Sequence, residues 1–203
     1  MILPRQVNEA RNNWRPLMQQ VLDSLLISSA KDLNKMSVSD VVYFVNDMIW
    51  SGAFGNTVVF KSSQTPLIFD PMSIIVFGYA SCTGVSIFLV DALRSLGVAA
   101  RMAGTPAWNQ NSSDGNHNWV EVYTEANDWQ FIEAHPAGGG ESLSNPCDKW
   151  FCTPNKFANG TTVFASAYSQ NRVTRYPLAW DMENSAIPGI DRTAYYQRVC
   201  TAC

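Results

Sequence analysis

The chain has 203 residues, 46% of them hydrophobic, with 14 basic and 17 acidic side chains and a net charge of −3. That length supports one substantial core, so a single domain over residues 1–203 is expected. The basic residues are scattered rather than clustered, and no apolar run approaches the ~18 residues of a membrane span, which argues against nucleic acid and a membrane as partners.

Trp14, Leu17, Met18, Val21, Leu22, Leu25 and Leu26 recur at helical spacing, predicting a first helix over about Arg15–Leu26. A second begins at Ser37, where Ser-Val-Ser-Asp40 reads as a capping box, and stops by Gly52. Asp70-Pro71 opens a short helix that exits at Gly78 and delivers the chain to Cys82. From Ser81 a further helix presents Val85, Phe88, Leu89, Ala92, Leu93 and Leu96 on one face and ends before Gly97.

The pattern then changes to strands, at about Val98–Met102, Asn116–Tyr123 and Trp129–Ala134. Helices followed by strands predict an α+β fold, with the Cys82 helix packed on an antiparallel sheet. Beyond Pro136 the chain reads as mostly irregular, apart from a strand over 161–167.

Cys82 falls in the first turn of its helix, where unpaired amides and the helix dipole favour a thiolate, and Ser81 is placed to cap that turn. A cysteine nucleophile needs a base, and the only histidines are His117 and His135. If Tyr123 pairs with Trp129, the odd-numbered residues of both strands share a face. His117, Glu133 and His135 would then gather there, with Trp119 beside them as a wall of the acyl pocket.

The stretches GYASCTGVSIFLVDALRSLGVAAR (78–101), GNHNWVEVY (115–123) and WQFIEA (129–134) resemble the transglutaminase-like superfamily in order and spacing. The resemblance implies a papain-like core over about 40–136, followed by a cysteine-containing C-terminal extension over 137–203. It makes Cys82 the nucleophile, His117 the general base, and Glu133 the counterpart of the usual Asp, one methylene longer. His135 has no counterpart: it is read as a substrate contact, with a surface residue, or the base itself under a different hairpin register, as the alternatives.

The implied chemistry is acyl transfer or hydrolysis on a peptide, protein or carboxamide substrate through a Cys82 thioester, without a cofactor or metal. The Cys82 amide is the natural oxyanion donor, with Asn46, Gln64 or Trp50 as candidates for a second. The length leaves no room for the barrel domains of animal transglutaminases, and no dense acidic loop points to calcium. Peptidase or amidase activity is therefore favoured over crosslinking. The alternative is a catalytically silent binding module for a protein or glycan.

Cys147, Cys152, Cys200 and Cys203 leave Cys82 as the odd thiol. Disulfides are expected among those four, with a zinc site as the competing reading. Together with the sequons at Asn111 and Asn159, disulfides favour an extracellular setting. Trp108, Trp150 and Trp180 are candidates for the pocket rim.

Overall fold

The computed structural model of the chain describes residues 14–63, 69–167 and 174–203. Helix α1 (Trp14–Ser28) buries Trp14, Met18, Leu22 and Leu26, a stripe at four-residue spacing. Helix α2 (Val38–Met48) starts with the expected capping box: Asp40 N–H donates to Ser37 Oγ at 3.1 Å, and Ser37 N–H to Asp40 Oδ2 at 3.2 Å. A two-residue strand, β1 (Val59–Phe60), precedes α3 (Pro71–Phe77), which Asp70 caps and Gly78 ends in the left-handed region. Strand β2 (Tyr79–Ala80) pairs parallel with β1 and feeds α4 (Cys82–Ser95), whose residues from Thr83 to Arg94 are all buried.

Then come β3 (Ala100–Thr105), β4 (His117–Tyr123), β5 (Trp129–Ile132), α5 (Pro154–Phe157), β6 (Phe164–Ser166), β7 (Thr174–Arg175), β8 (Pro188–Asp191) and α6 (Thr193–Thr201). The strands from β3 onward form one antiparallel sheet in the order β5-β4-β3-β6-β8-β7. Tyr123 pairs with Trp129, the expected hairpin register. The α+β architecture read from the sequence is present.

Among the described residues the region after Pro136 is mostly irregular, as expected, and the strand read over 161–167 is present as β6, but the region contributes more than that one strand. It supplies a short helix, three strands and α6, and it covers the second face of the sheet. Side chains alternate across a strand, so Val120, Val122 and Ile132 face α4 in one core while Trp119 and Phe131 face the other way. On that far side Phe151, Phe157, Val163 and Tyr196 close a second core.

Disulfides Cys147–Cys203 and Cys152–Cys200 bind this layer together. All four tail thiols are thereby consumed, which removes them as zinc ligands. The outer bridge spans a sequence separation of 56, a closure that contributes about 4 kcal/mol in the chain-entropy account.

A polar knot fastens α6 to the sheet. Glu121, fully buried on β4, accepts from Arg101 Nε at 2.7 Å, Arg192 Nε at 3.0 Å and Tyr196 Oη at 2.8 Å. Tyr196 Oη in turn accepts from Trp119 Nε1 at 2.8 Å. Tyr196→Phe strips a donor from a buried carboxylate and leaves an indole N–H without an acceptor. It is expected to lower unfolding stability by about 1–3 kcal/mol, read as a reduced urea midpoint under non-reducing conditions.

Candidate active site

Cys82 is the first residue of α4, and Ser81 occupies the cap position. Contrary to expectation, the Ser81 side chain makes no capping hydrogen bond, so no side chain competes there with an incoming anion for the first-turn amides. The thiol is half-buried, and the His117 ring and the Asn118 backbone N–H are near enough to favour its ionised form.

The spacing between helix and strand is set by Asn118. Its side-chain amide donates to Thr83 Oγ1 at 2.8 Å, and its carbonyl accepts from Ser86 Oγ at 3.2 Å. Its Oδ1 accepts from Tyr176 Oη. Gly104 on β3 makes this possible, because a Cβ there would meet Asn118 Oδ1 and Tyr176 Oη inside contact distance.

The far nitrogen of the imidazole, His117 Nε2, lies 2.5 Å from Glu133 Oε2. His117 is 4% exposed and Glu133 is sealed from solvent. Burial pushes the Cys82 thiol up, yet the hydrogen bond and charge of His117, helped by the Asn118 amide, hold it below its ordinary value near 9.0. Burial likewise opposes a charged His117, but the Glu133 carboxylate and the Cys82 contact raise it to about 10. Both shifts favour a thiolate–imidazolium pair over the neutral pair, with the Glu133 side chain beside the ring.

Because Glu133 is one methylene longer than the usual Asp, the sequence expects the imidazole to sit slightly farther from a strand that continues to Ala134. The strand instead stops at Ile132, and the chain bends at Glu133. Asn46, on α2, fixes that bend: its amide donates to Glu133 O at 2.9 Å, and its Oδ1 accepts from His135 N–H at 3.0 Å. Trp50 Nε1 donates to the same Oδ1 at 3.3 Å. Both residues are thus engaged in holding the loop, in contrast to the oxyanion role considered for them, and Gln64 lies outside the described residues.

Two substrate-contact expectations also change. Trp119 does share the His117 face, but that face is the one under the second core, where Trp119 is fully buried and stacks on Phe151 at 4.5 Å. It presents no surface to a substrate. His135 leaves the ladder with the bend; its exposed ring sits 3.6 Å from Asp47 and borders a groove of about 270 Å³ with Trp50, Val59 and Phe60. Of the three rim candidates, Trp108 is buried and stacks on His117 with ring centres 6.4 Å apart, Trp180 stacks on Phe69 at 5.1 Å, and the half-exposed Trp150 comes nearest the histidine, 4.7 Å away between ring centres.

Of two further groups beside Glu133, sequence reasoning gave Trp150 a place on the rim without its bond to the carboxylate, and passed over Glu141. Trp150 Nε1–H donates to Glu133 Oε2 at 3.1 Å. Glu141 is buried, accepts from Glu133 N–H at 3.4 Å, and is raised to about 7 by burial and by the Glu133 charge. The available signal was the pair Cys147 and Cys152 flanking an exposed-looking Lys-Trp-Phe segment.

No curated protein matches the chain. Among solved structures it is similar to red sea bream transglutaminase, at 13% identity and a TM-score of 0.52, over 92% of this chain and 39% of that one. It is also similar to a Cytophaga hutchinsonii protein provisionally named a cysteine protease, at 16% identity and a TM-score of 0.45, over 90% of this chain and 60% of that one. A Parabacteroides distasonis protein provisionally named a protease aligns at 9% identity and a TM-score of 0.48, over 76% of this chain and 26% of that one. The chain therefore spans between about a quarter and three fifths of the length of these structures. The red sea bream likeness supports the fold alone. The sequence model of the transglutaminase-like superfamily matches residues 29–134, just over half of the chain and a span that includes Cys82, His117 and Glu133, and on that match the chain belongs to the transglutaminase-like superfamily.

Proposed function

We propose that the chain is a cysteine-dependent hydrolase or acyltransferase acting on a peptide, protein or carboxamide carbonyl, with hydrolysis favoured over crosslinking. The observation that carries this reading is the contiguous Cys82–His117–Glu133 arrangement, with the thiol drawn down and the imidazole drawn up. The Cys82 thiolate attacks the carbonyl carbon. The oxyanion forms at the α4 N-terminus, where the Cys82 backbone amide is the natural donor.

The imidazolium then gives its proton to the departing ammonia or amine, leaving a thioester on Cys82. Water, deprotonated by the now neutral His117, resolves the acyl-enzyme, and an amine in its place would complete acyl transfer. Glu133 holds the ring and stabilises its charged form throughout. Apart from the substrate and the water or amine that resolves the acyl-enzyme, every group in these steps belongs to the chain. We place the enzyme outside the cell, acting as one unit over 1–203. Two disulfides fit an oxidising compartment, and none of the described helices is long and apolar enough to cross a membrane.

The pH profile follows from the two shifts. kcat/KM should rise as the Cys82 thiol ionises below its ordinary range. It should fall near pH 10 as His117 loses the proton that the leaving group needs, and a descending limb near neutrality would contradict the reading.

Two variants probe the same arrangement. His117→Ala leaves burial as the dominant influence on the thiol, so iodoacetamide labelling of Cys82 at about pH 7 should be lost; equal rates in both proteins would count against it. Glu133→Asp withdraws the carboxylate from a 2.5 Å contact and should lower kcat by about a hundredfold with KM little changed, measured on a peptide-amide panel that separates ammonia release from peptide cleavage.

A further inference from the structure

The superfamily match ends at residue 134, yet the catalytic carboxylate is completed by residues beyond it. Glu133 Oε2 has two donors: His117 Nε2 at 2.5 Å and the Trp150 indole N–H at 3.1 Å. Glu133 Oε1 is buried and has no hydrogen-bond partner among the described residues. A carboxylate held by one oxygen can swing about its terminal bond, and a second donor on that oxygen fixes its plane.

The same indole lies with its centre 4.7 Å from that of the imidazole, so it also covers the ion pair from water. Shielding strengthens the attraction between the charges it encloses.

Trp150 is 47% exposed, and an indole so placed would ordinarily sample several rotamers. Here its backbone is fixed on both sides. Phe151 is locked into the second core, and the buried Lys149 amine donates to Ser142 O at 2.7 Å and Asn145 O at 2.8 Å. Cys147 and Cys152, bound to Cys203 and Cys200, bracket the segment. Space for the indole is left by Gly138, at φ +130°, where a Cβ would come within 3.1 Å of Trp150 Cδ1 and 3.2 Å of Nε1.

We propose that Trp150 is a positioning residue of the site, fixing the Glu133 carboxylate against His117, and that the disulfide-bound arm holds it in place. The inference rests on the thiolate–imidazolium reading above. Without the indole N–H, the carboxylate loses its alignment, the imidazolium loses part of its support, and the Cys82 thiol keeps its proton to higher pH.

The test is the rate of Cys82 alkylation by iodoacetamide across pH, followed by intact mass, in the wild type, Trp150→Phe and Cys147→Ser/Cys203→Ser. Trp150→Phe retains a ring and deletes the N–H. Half-maximal labelling should move to higher pH, the neutral-pH rate should fall about tenfold, and kcat should fall with KM unchanged. The double serine variant should shift in the same direction, since it frees one end of the arm.

A Trp150→Phe profile superimposable on the wild type, even with a lowered unfolding midpoint, would overturn the proposal and leave only a structural role. A wild-type-like profile in the serine variant would overturn the part assigned to the arm. If the wild-type thiol itself titrates in its ordinary range, the proposed function fails, which is a different result from either.

Discussion

A carboxylate sealed from water must find its compensating donors within the chain, and the segment around Glu133 is built to that requirement. Its side chain takes His117 and Trp150, its N–H goes to Glu141, and its carbonyl is held by Asn46. Each partner comes from a different part of the chain: β4, the C-terminal arm, the loop that follows β5, and α2. The bend after Ile132 is where the two layers on either side of the sheet are joined through one residue.

Each layer has its own task. The helical side, centred on α4, determines where the thiol sits, and Asn118 transmits that position to β4 through Thr83 and Ser86. The far side, with Phe151, Trp119 and Tyr196 at its centre, determines what surrounds the imidazole. Cys82 and His117 meet at the end of the sheet, where a helix on one face can touch a side chain that belongs to the other. A dry environment on the imidazole side is what allows the neighbouring carboxylate to act on it so strongly, since no solvent competes for either charge.

Much of this was legible in the sequence, for reasons that differ by element. Helices α1 and α4 carry apolar stripes of three to four turns, and α2 and α3 carry side-chain caps, so local physics alone indicates them. The β4–β5 hairpin was readable because alternation and loop length agree on one register, and that register carries Glu133 towards His117. The arm was not readable. Its core residues, Phe151, Phe157, Val163 and Tyr196, fall in separate short segments with no shared periodicity, and α6 buries only Tyr196 and Cys200, too thin a stripe to register as a helical pattern. Mistaking the His117 face for an open one follows from that omission: once the arm is missed, Trp119 looks like a pocket wall. His135 was misplaced for a separate reason, since a strand's end is decided by tertiary bonds to Asn46 that no local pattern encodes.

The arm's fastening also orders events in time. Cys82, His117 and Glu133 are synthesised many residues ahead of Cys200 and Cys203, and at about 5–20 residues per second the interval lasts seconds. Until α6 emerges and docks, the segment that carries Trp150 lacks both disulfides and the Tyr196 side of its core, so the indole is held against Glu133 by fewer contacts. The two sulfur bridges close only after the last residues of the chain are made, so the completed surroundings of Glu133 are among the last features of the fold to form.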